Sequence, residues 1–508
     1  MEEKHKKQNE NQEISNENNK NQTQSTKKYK KSTEIFVVDS VMGSYKTSAA
    51  INMINDSPDD THFIYITPYL DEVKRITKEC SKKNFKQPKS NKENKIVNIK
   101  KLIENGYNIV STHALFRNFN KNTIDLIKTM NYILIMDEVT EVISTFEDSE
   151  YGIINQMSET DVQWLQKNKA ISISKKRKQV KWLDENYEGV FSGLKNICEQ
   201  NNIVMYNSIP LWIFPIEVFK SFKQVYILTY LFDGQIQKYY FDLFKIKYRK
   251  LSVKEKGIRR YEFVRYVGDY VNINNYDYKN LIEILEDANL NRIGEQNIYD
   301  LSSSWYKKAS KDKLNELKNN IYNFFYHKTG TKSEYNLWTT FKDYKEKLKG
   351  KGYTNGYLPF NSRATNKYKQ TTSVAYTVNR FMNPIIKNYF IQNGIEVDED
   401  CYALSEMLQF IWRSGIREGK KITIYIPSIR MRNLLKDWIY NIMCTEVKVK
   451  IKQKKPIRKG RGRKPKKLSD EDINTIIERN KNGETFENIS KDYGMSRITL
   501  YKIIKNNI

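Results

Sequence analysis

Glu34–Ile51, "EIFVVDSVMGSYKTSAAI", decides how the rest of the chain is read. An apolar, β-branched run ends at Asp39 in a short loop, and "SAAINMI" then continues in small and apolar residues that suit a helix. A strand, a loop and a helix in that order can cradle phosphate. Loop N–H groups and the positive end of the helix face the oxyanions, a lysine reaches the terminal phosphates, and a hydroxyl holds magnesium. Laid on the pattern GxxxxGK[ST], the aligned residues are Ser40, Val41, Met42, Gly43, Ser44, Tyr45, Lys46 and Thr47. Lys46 and Thr47 are in place, but both glycine positions have changed. A non-glycine residue forced into a sparsely populated backbone region costs about 1–3 kcal/mol. Uncompensated, that is a roughly 5- to 150-fold loss of nucleotide affinity. Taken alone, the motif reads equally well as an ordinary turn carrying a chance Lys-Thr pair.

Downstream the alternation continues. "HFIYIT", "YNIVST" and "YILIMDE" are short apolar runs separated by helix-length amphipathic stretches, the pattern of a buried parallel sheet. The last run, Tyr132 to Val142 ("YILIMDEVTEV"), delivers Asp137 and Glu138 to the carboxyl end of a strand, downstream of the loop. There an aspartate can hold magnesium and a glutamate can orient or deprotonate water. An isolated Asp-Glu pair after a strand is usually only solvated; its order after the loop gives it weight. Glu147 to Asn202 reads as a more helical, polar insertion before the strand-like Lys223–Gly234, and a second α/β region runs from about Tyr239 to Met443.

The 508 residues carry a formal charge of +27. Between Lys448 and Lys467 stand 12 Lys or Arg and no acid, so this segment alone supplies +12. Such a concentration suits a polyanionic partner, through counterion release from a phosphate backbone. The diffuse remainder reads as a solvated lysine-rich surface. Four cysteines and four histidines without CxxC or HxxxH spacing argue for a reducing compartment and against a zinc site. No apolar run approaches the ~18 residues of a membrane helix, and the polar N-terminus has no signal-peptide core. A cytoplasmic protein without membrane partner is expected, with its first 33 residues disordered.

The tail opens with a capping-box spacing, Ser469 and Asp472, followed by Ile473, Ile476 and Ile477 on one face and Gly483 as a stop. "FENISKDYGMSRITLYKII" then fits helix-turn-helix spacing, with Gly494 at the turn and Ile489, Tyr493, Met495, Leu500 and Ile503 inward. Ser496 would cap the second helix, leaving Arg497, Thr499, Tyr501 and Lys502 to face the major groove. A helical hairpin for protein contact is the competing reading.

Several motifs in chain order, "SVMGSYKT", "YITPYLDEV", "STHALF", "LIMDEVTEV", "YILTYLF" and "QFIWRSGIR", resemble those of superfamily 2 DEAD/DEAH-like helicases. "LPFNSRATNKY", "VNRFMNP" and "IYIPSIRMRNLL" look like helicase-like proteins of phages, plasmids and other mobile elements. The likeness spans Glu34 to about Met443. It implies an α/β fold of two tandem RecA-like P-loop domains that sandwich ATP and Mg2+, with single-stranded nucleic acid across both. The ATP set would be Met42, Gly43, Ser44, Tyr45, Lys46 and Thr47, with Thr47 and Asp137 on the metal. Asp137 and Glu138 would be the DEAD/DEAH-type pair, "LTY" at Leu228–Tyr230 the coupling motif, and Gln409, Arg413 and Arg417 the QxxGRxxR-type motif that stabilises the transferring phosphate. A four-residue spacing places both arginines on one helix face. The tail resembles the small all-α DNA-binding domain of serine recombinases. The preceding "RGRKPKK" resembles their minor-groove arm, so Arg458, Arg461, Arg463 and Lys464 join the duplex-binding set.

The expected domains are thus 34–235, with the insertion at about 147–202, then 236–444, a basic linker at 445–468, and a helix-turn-helix at 469–508. Three functions compete: an ATP-dependent DNA helicase or translocase serving a mobile element, a DNA-binding regulator on a degenerate non-hydrolysing ATPase frame, and a recombination-associated protein. The last lacks a separate catalytic domain before the tail.

Overall fold

The computed structural model describes residues 33–68, 70–89, 94–145, 159–175, 178–198, 202–207, 209–269, 276–362, 367–453, 468–495 and 497–507. It divides into two compact units, 1–449 and 450–508. The larger unit is a mixed α/β body built on two main sheets.

The first sheet holds seven strands: β1 (Glu34–Asp39), β2 (Phe63–Thr67), β3 (Ile109–Thr112), β4 (Ile133–Asp137), β10 (Gln224–Thr229), β11 (Arg249–Gly257) and β12 (Arg260–Arg265). Their order is β12-β11-β1-β10-β4-β2-β3. All neighbours are parallel except β11 with β12. β2, wholly buried, and β4, buried up to its final aspartate, carry the continuous apolar text that a sheet covered on both faces demands. Helices α1 (Lys46–Asn55) and α2 (Leu70–Glu79) follow β1 and β2, so the loop after β1 and the acid pair after β4 open at the same edge of the sheet.

The expected boundary at 235/236 does not hold. β11 and β12 complete the first sheet, and their charged, largely unburied text is that of strands at or near an edge. Among the described residues the insertion holds the helical stretches Glu159–Lys167 and Ser192–Cys198, and strands as well. The hairpin β6 (Ile171–Ile173) with β7 (Val180–Trp182) lies within it. A three-stranded antiparallel sheet, β5 (Ile143–Thr145), β9 (Ile209–Ile213) and β8 (Ile203–Tyr206), flanks it.

The second main sheet is fully parallel, β13 (Ile282–Ile284), β16 (Ile422–Tyr425), β15 (Ser373–Tyr376) and β14 (Asn336–Thr339) in spatial order. Helices α3 (Ile236–Leu243), α4 (Pro384–Gln392), α5 (Glu399–Ile411) and α6 (Ile429–Gln453) complete what is needed below. α6 runs on through Gln453, into what reads as linker; residues 454–467, with Arg458, Arg461, Arg463 and Lys464, lie outside the described residues.

The two sheets are interlocked. Met382, Ile386, Tyr389 and Phe390, on or beside α4, and Tyr402 of α5 are buried in the same cluster as Phe116, Phe214 and Phe219 of the first sheet's side. Conversely Val41, Tyr230 and Leu231, from loops of the first sheet, sit in the core of the second.

The smaller unit is three helices, α7 (Asp470–Lys481), α8 (Phe486–Asp492) and α9 (Arg497–Asn507), closed over Ile476, Ile489, Leu500 and Ile504. Ser469 and Asp472 form the capping box, and Gly483 and Gly494 take positive φ at the two turns. Arg479 ties the turns together through Glu484 and Asp492. Among the described residues no helix is long and apolar enough to cross a membrane.

Candidate nucleotide and DNA sites

The loop after β1 holds its own lysine. Lys46 Nζ donates to the carbonyls of Ser40 (2.6 Å) and Val41 (3.1 Å), and the N–H of Ser40 donates to Thr229 O at the end of β10 (3.2 Å). Burial lowers the pKa of Lys46, opposed by the carboxylates of Glu138, Asp137 and Asp39. Thr47 Oγ1 donates to Asp137 Oδ2 at 3.2 Å, so a hydroxyl and a carboxylate distant in sequence meet as a pair of hard oxygen donors. Burial, then the neighbouring Glu138 carboxylate, raises Asp137 to about 7. Its main-chain carbonyl lies 2.9 Å from His113 Nε2, which anchors the end of β4 to "STHALF". Glu138 has φ 65°, with its N–H on Leu228 O (3.0 Å), an uncommon backbone held by the adjacent strand.

Tyr45 occupies the bend that glycine usually supplies, at φ 60°, ψ 26°. Its ring stacks on Tyr261 of β12, with centroids 4.2 Å apart and planes within 8°. A stacked aromatic pair is worth about 0.5–1.5 kcal/mol beyond its buried area, which offsets much of the strain of the left-handed residue.

These groups line one cavity of about 340 Å³. One wall is the loop with α1 (Met42 to Ser48), and another is Asp137 and Glu138. Glu72 and Arg75 come from α2, and Tyr276, Trp412, Arg413 and Arg417 come from the second sheet's side. Arg413 is almost fully buried and Arg417 is exposed. The two do not share a helix face. α5 ends at Ile411, and Ser414 caps a separate turn, Gly415–Glu418, that carries Arg417. They converge through this break, which residue spacing alone cannot reveal. Gln409 lies half-buried on α5 and is not among the lining residues. Trp412 stands within "QFIWRSGIR", whereas Glu72, Arg75, Tyr261 and Tyr276 carry no named role in the sequence reading, "YITPYLDEV" at the start of α2 being the hint to Glu72.

Asp39, buried at the end of β1, accepts from the N–H of Phe232 (3.1 Å) and faces Lys250 Nζ at 3.1 Å. Burial still dominates and raises its pKa to about 6. On the smaller unit, exposed Arg497 pairs with Glu487 at 2.7 Å, and Tyr501 is exposed. Ser496 lies outside the described residues; Thr499 and Lys502 fall on α9.

Family models match three stretches: the YonV middle domain at 154–212, the YonV C-terminal Rossmann-like domain at 276–439, and the helix-turn-helix domain of resolvase at 462–507. The SPbeta prophage-derived protein YonV of Bacillus subtilis (strain 168) is 43% identical over 411 residues, 80% of this chain and 98% of that protein. The chain belongs to the YonV family. This YonV-family chain also carries the match to a resolvase-type helix-turn-helix at 462–507. Among solved structures, apo XPD (TM-score 0.43, 11% identity) and Xpd4 of S. tokodaii (0.41, 10%) each match 80% of this chain, and 95% and 94% of their own. The DUF1998 helicase MrfA, solved with DNA and AMPPNP, gives a TM-score of 0.28 at 11% identity over 80% of this chain and 48% of its own. These scores are too low to add to the reading of the site.

Proposed function

We propose that this YonV-family protein is an ATP-hydrolysing DNA helicase or translocase on two RecA-like lobes, directed to a DNA site by its helix-turn-helix. The observation that carries this is the single cavity where Lys46, Thr47, Asp137 and Glu138 of one sheet meet Arg413 and Arg417 of the other. A triphosphate fits what lines it. The buried hydroxyl of Ser44 in the loop has no hydrogen-bond partner among the described residues, and the Thr47–Asp137 pair is the oxygen donor set that magnesium takes. Magnesium, when bound, neutralises charge on the phosphate oxygens. Lys46 leaves its two loop carbonyls to hold the terminal phosphates. Glu138 orients or deprotonates the attacking water, and the arginines meet the negative charge that grows on the transferring group. Duplex DNA would lie on the tail and single-stranded DNA across the lobes. The prophage origin of the relative supports a role in replication or maintenance of a mobile element.

The test is hydrolysis with single-stranded, duplex and no DNA, in wild type, Lys46→Ala and Glu138→Gln. Wild type should be DNA-stimulated and at least about 100-fold faster than either variant. The left-handed Tyr45 favours one other reading, a regulator that binds nucleotide without hydrolysing it. Wild type no faster than the variants would select that reading.

A further inference from the structure

Tyr45 lines the cavity beside Lys46 while one face of its ring lies on Tyr261. The two tyrosines stand on different elements, the loop before α1 and the edge strand β12. Asn52 of α1 fastens these by donating to the carbonyl of Tyr261 at 3.1 Å. Tyr45 as a whole remains 48% exposed. Glycine would take the φ of 60° without strain, so the ring is retained against a backbone cost. An open aromatic face beside the groups that would receive phosphates is suited to another planar ring.

Resting on the nucleotide reading above, we propose that the Tyr45–Tyr261 pair is the base platform of this site. The nucleobase of the bound triphosphate stacks on the open face of Tyr45, while Lys46 and Thr47 hold the other end of the ligand. The base is thereby gripped through its π-face, and Tyr261 serves as a positioning residue that keeps the Tyr45 ring flat and in place. If Tyr261 only braced a strained turn, removing the ring would not distinguish a ligand with a base from one without.

The experiment measures binding of Mg·ATP and of Mg·tripolyphosphate, which has phosphates but no base, to the full chain. Wild type, Tyr45→Gly and Tyr45→Phe are compared. The preference for ATP over tripolyphosphate should fall roughly 5- to 150-fold in Tyr45→Gly and persist in Tyr45→Phe. Tripolyphosphate should bind Tyr45→Gly at least as well as wild type, because glycine relieves the bend, and this also reports an intact loop. Tyr45→Asn, which tolerates left-handed backbone and lacks the ring, repeats the comparison if glycine loosens the turn. An unchanged preference in the ringless variants overturns the platform and leaves the nucleotide reading standing. Failure of wild type to bind either ligand overturns both.

Discussion

Replacing Tyr230 by phenylalanine removes one oxygen atom at the seam between the two sheets. That hydroxyl donates to the carbonyl of Asp269 and accepts from the indole N–H of Trp438, both at 2.8 Å, and Tyr230 and Trp438 are both buried. Stripping a buried polar group of its partner costs about 1–3 kcal/mol, so Tyr230→Phe should lower unfolding stability by that amount. Trp438→Phe deletes the N–H together with ring area. A double-mutant cycle subtracts the ring term and should leave a coupling of about 0.5–3 kcal/mol between hydroxyl and indole. Equilibrium urea unfolding of the four proteins measures it. The same contact bears on the cavity, because Trp438 packs edge-on against Trp412 (5.4 Å, 85°), and Trp412 lines the cavity next to Arg413. On the proposed function, Tyr230→Phe therefore lowers kcat for DNA-stimulated hydrolysis more than it raises KM. Additive single effects, or a Tyr230→Phe protein as stable as wild type, would refute the linkage.

Two further perturbations probe the same seam and the root of the loop. A Cβ at Gly234 would stand 2.4 Å from the carbonyl carbon of Cys401, a backbone atom at the start of α5, so Gly234→Ala should cost at least about 1–3 kcal/mol. A wild-type melting temperature would show that this approach is not close. At Asp39, burial lifts the pKa from 3.8 to about 6, so the folded state holds its proton more tightly than the unfolded one. Stability must then fall as pH rises from about 4 to about 6, by at most about 3 kcal/mol. Asp39→Asn should remove that fall. A wild-type-minus-variant difference in unfolding free energy that does not change across this window would contradict it.

What the sequence made legible follows from which interactions are local. The strand, loop and helix around Lys46, the acid pair ending β4, and the Ser469–Asp472 box are set by residues within a few positions of one another, and each stands where its text implies. β11 and β12 lie at the sheet's edge and are exposed at their ends, so they carry charged text where the buried strands carry apolar runs, and no apolar run marks them as strands of the first sheet. The strands of the β6–β7 hairpin are three residues each, too short for any period to show. The arginines were legible as types but not as geometry, since the helix ends at Ile411, before both, and a separate turn carries Arg417. The partner of Tyr45 had no signal at all: a stack between residues so far apart in the chain is decided by α1 packing on β12, which no local pattern encodes.

On the proposed function, the two shared cores suggest a route from ligand to motion. Val41 of the loop after β1 is buried in the core of the second sheet, yet its carbonyl, with that of Ser40, is what Lys46 holds. Ser40 in turn is bonded to Thr229, one residue before Tyr230, whose side chain is also in that second core. An anion that draws Lys46 off those carbonyls therefore loosens a loop that two cores share. Such packed interfaces settle into alternative arrangements rather than deforming smoothly, so on the proposed function the strain would pass to the seam at Tyr230 and Trp438. On the proposed reading, "LTY" at Leu228–Tyr230 is a coupling element because its third residue is planted in the opposite lobe.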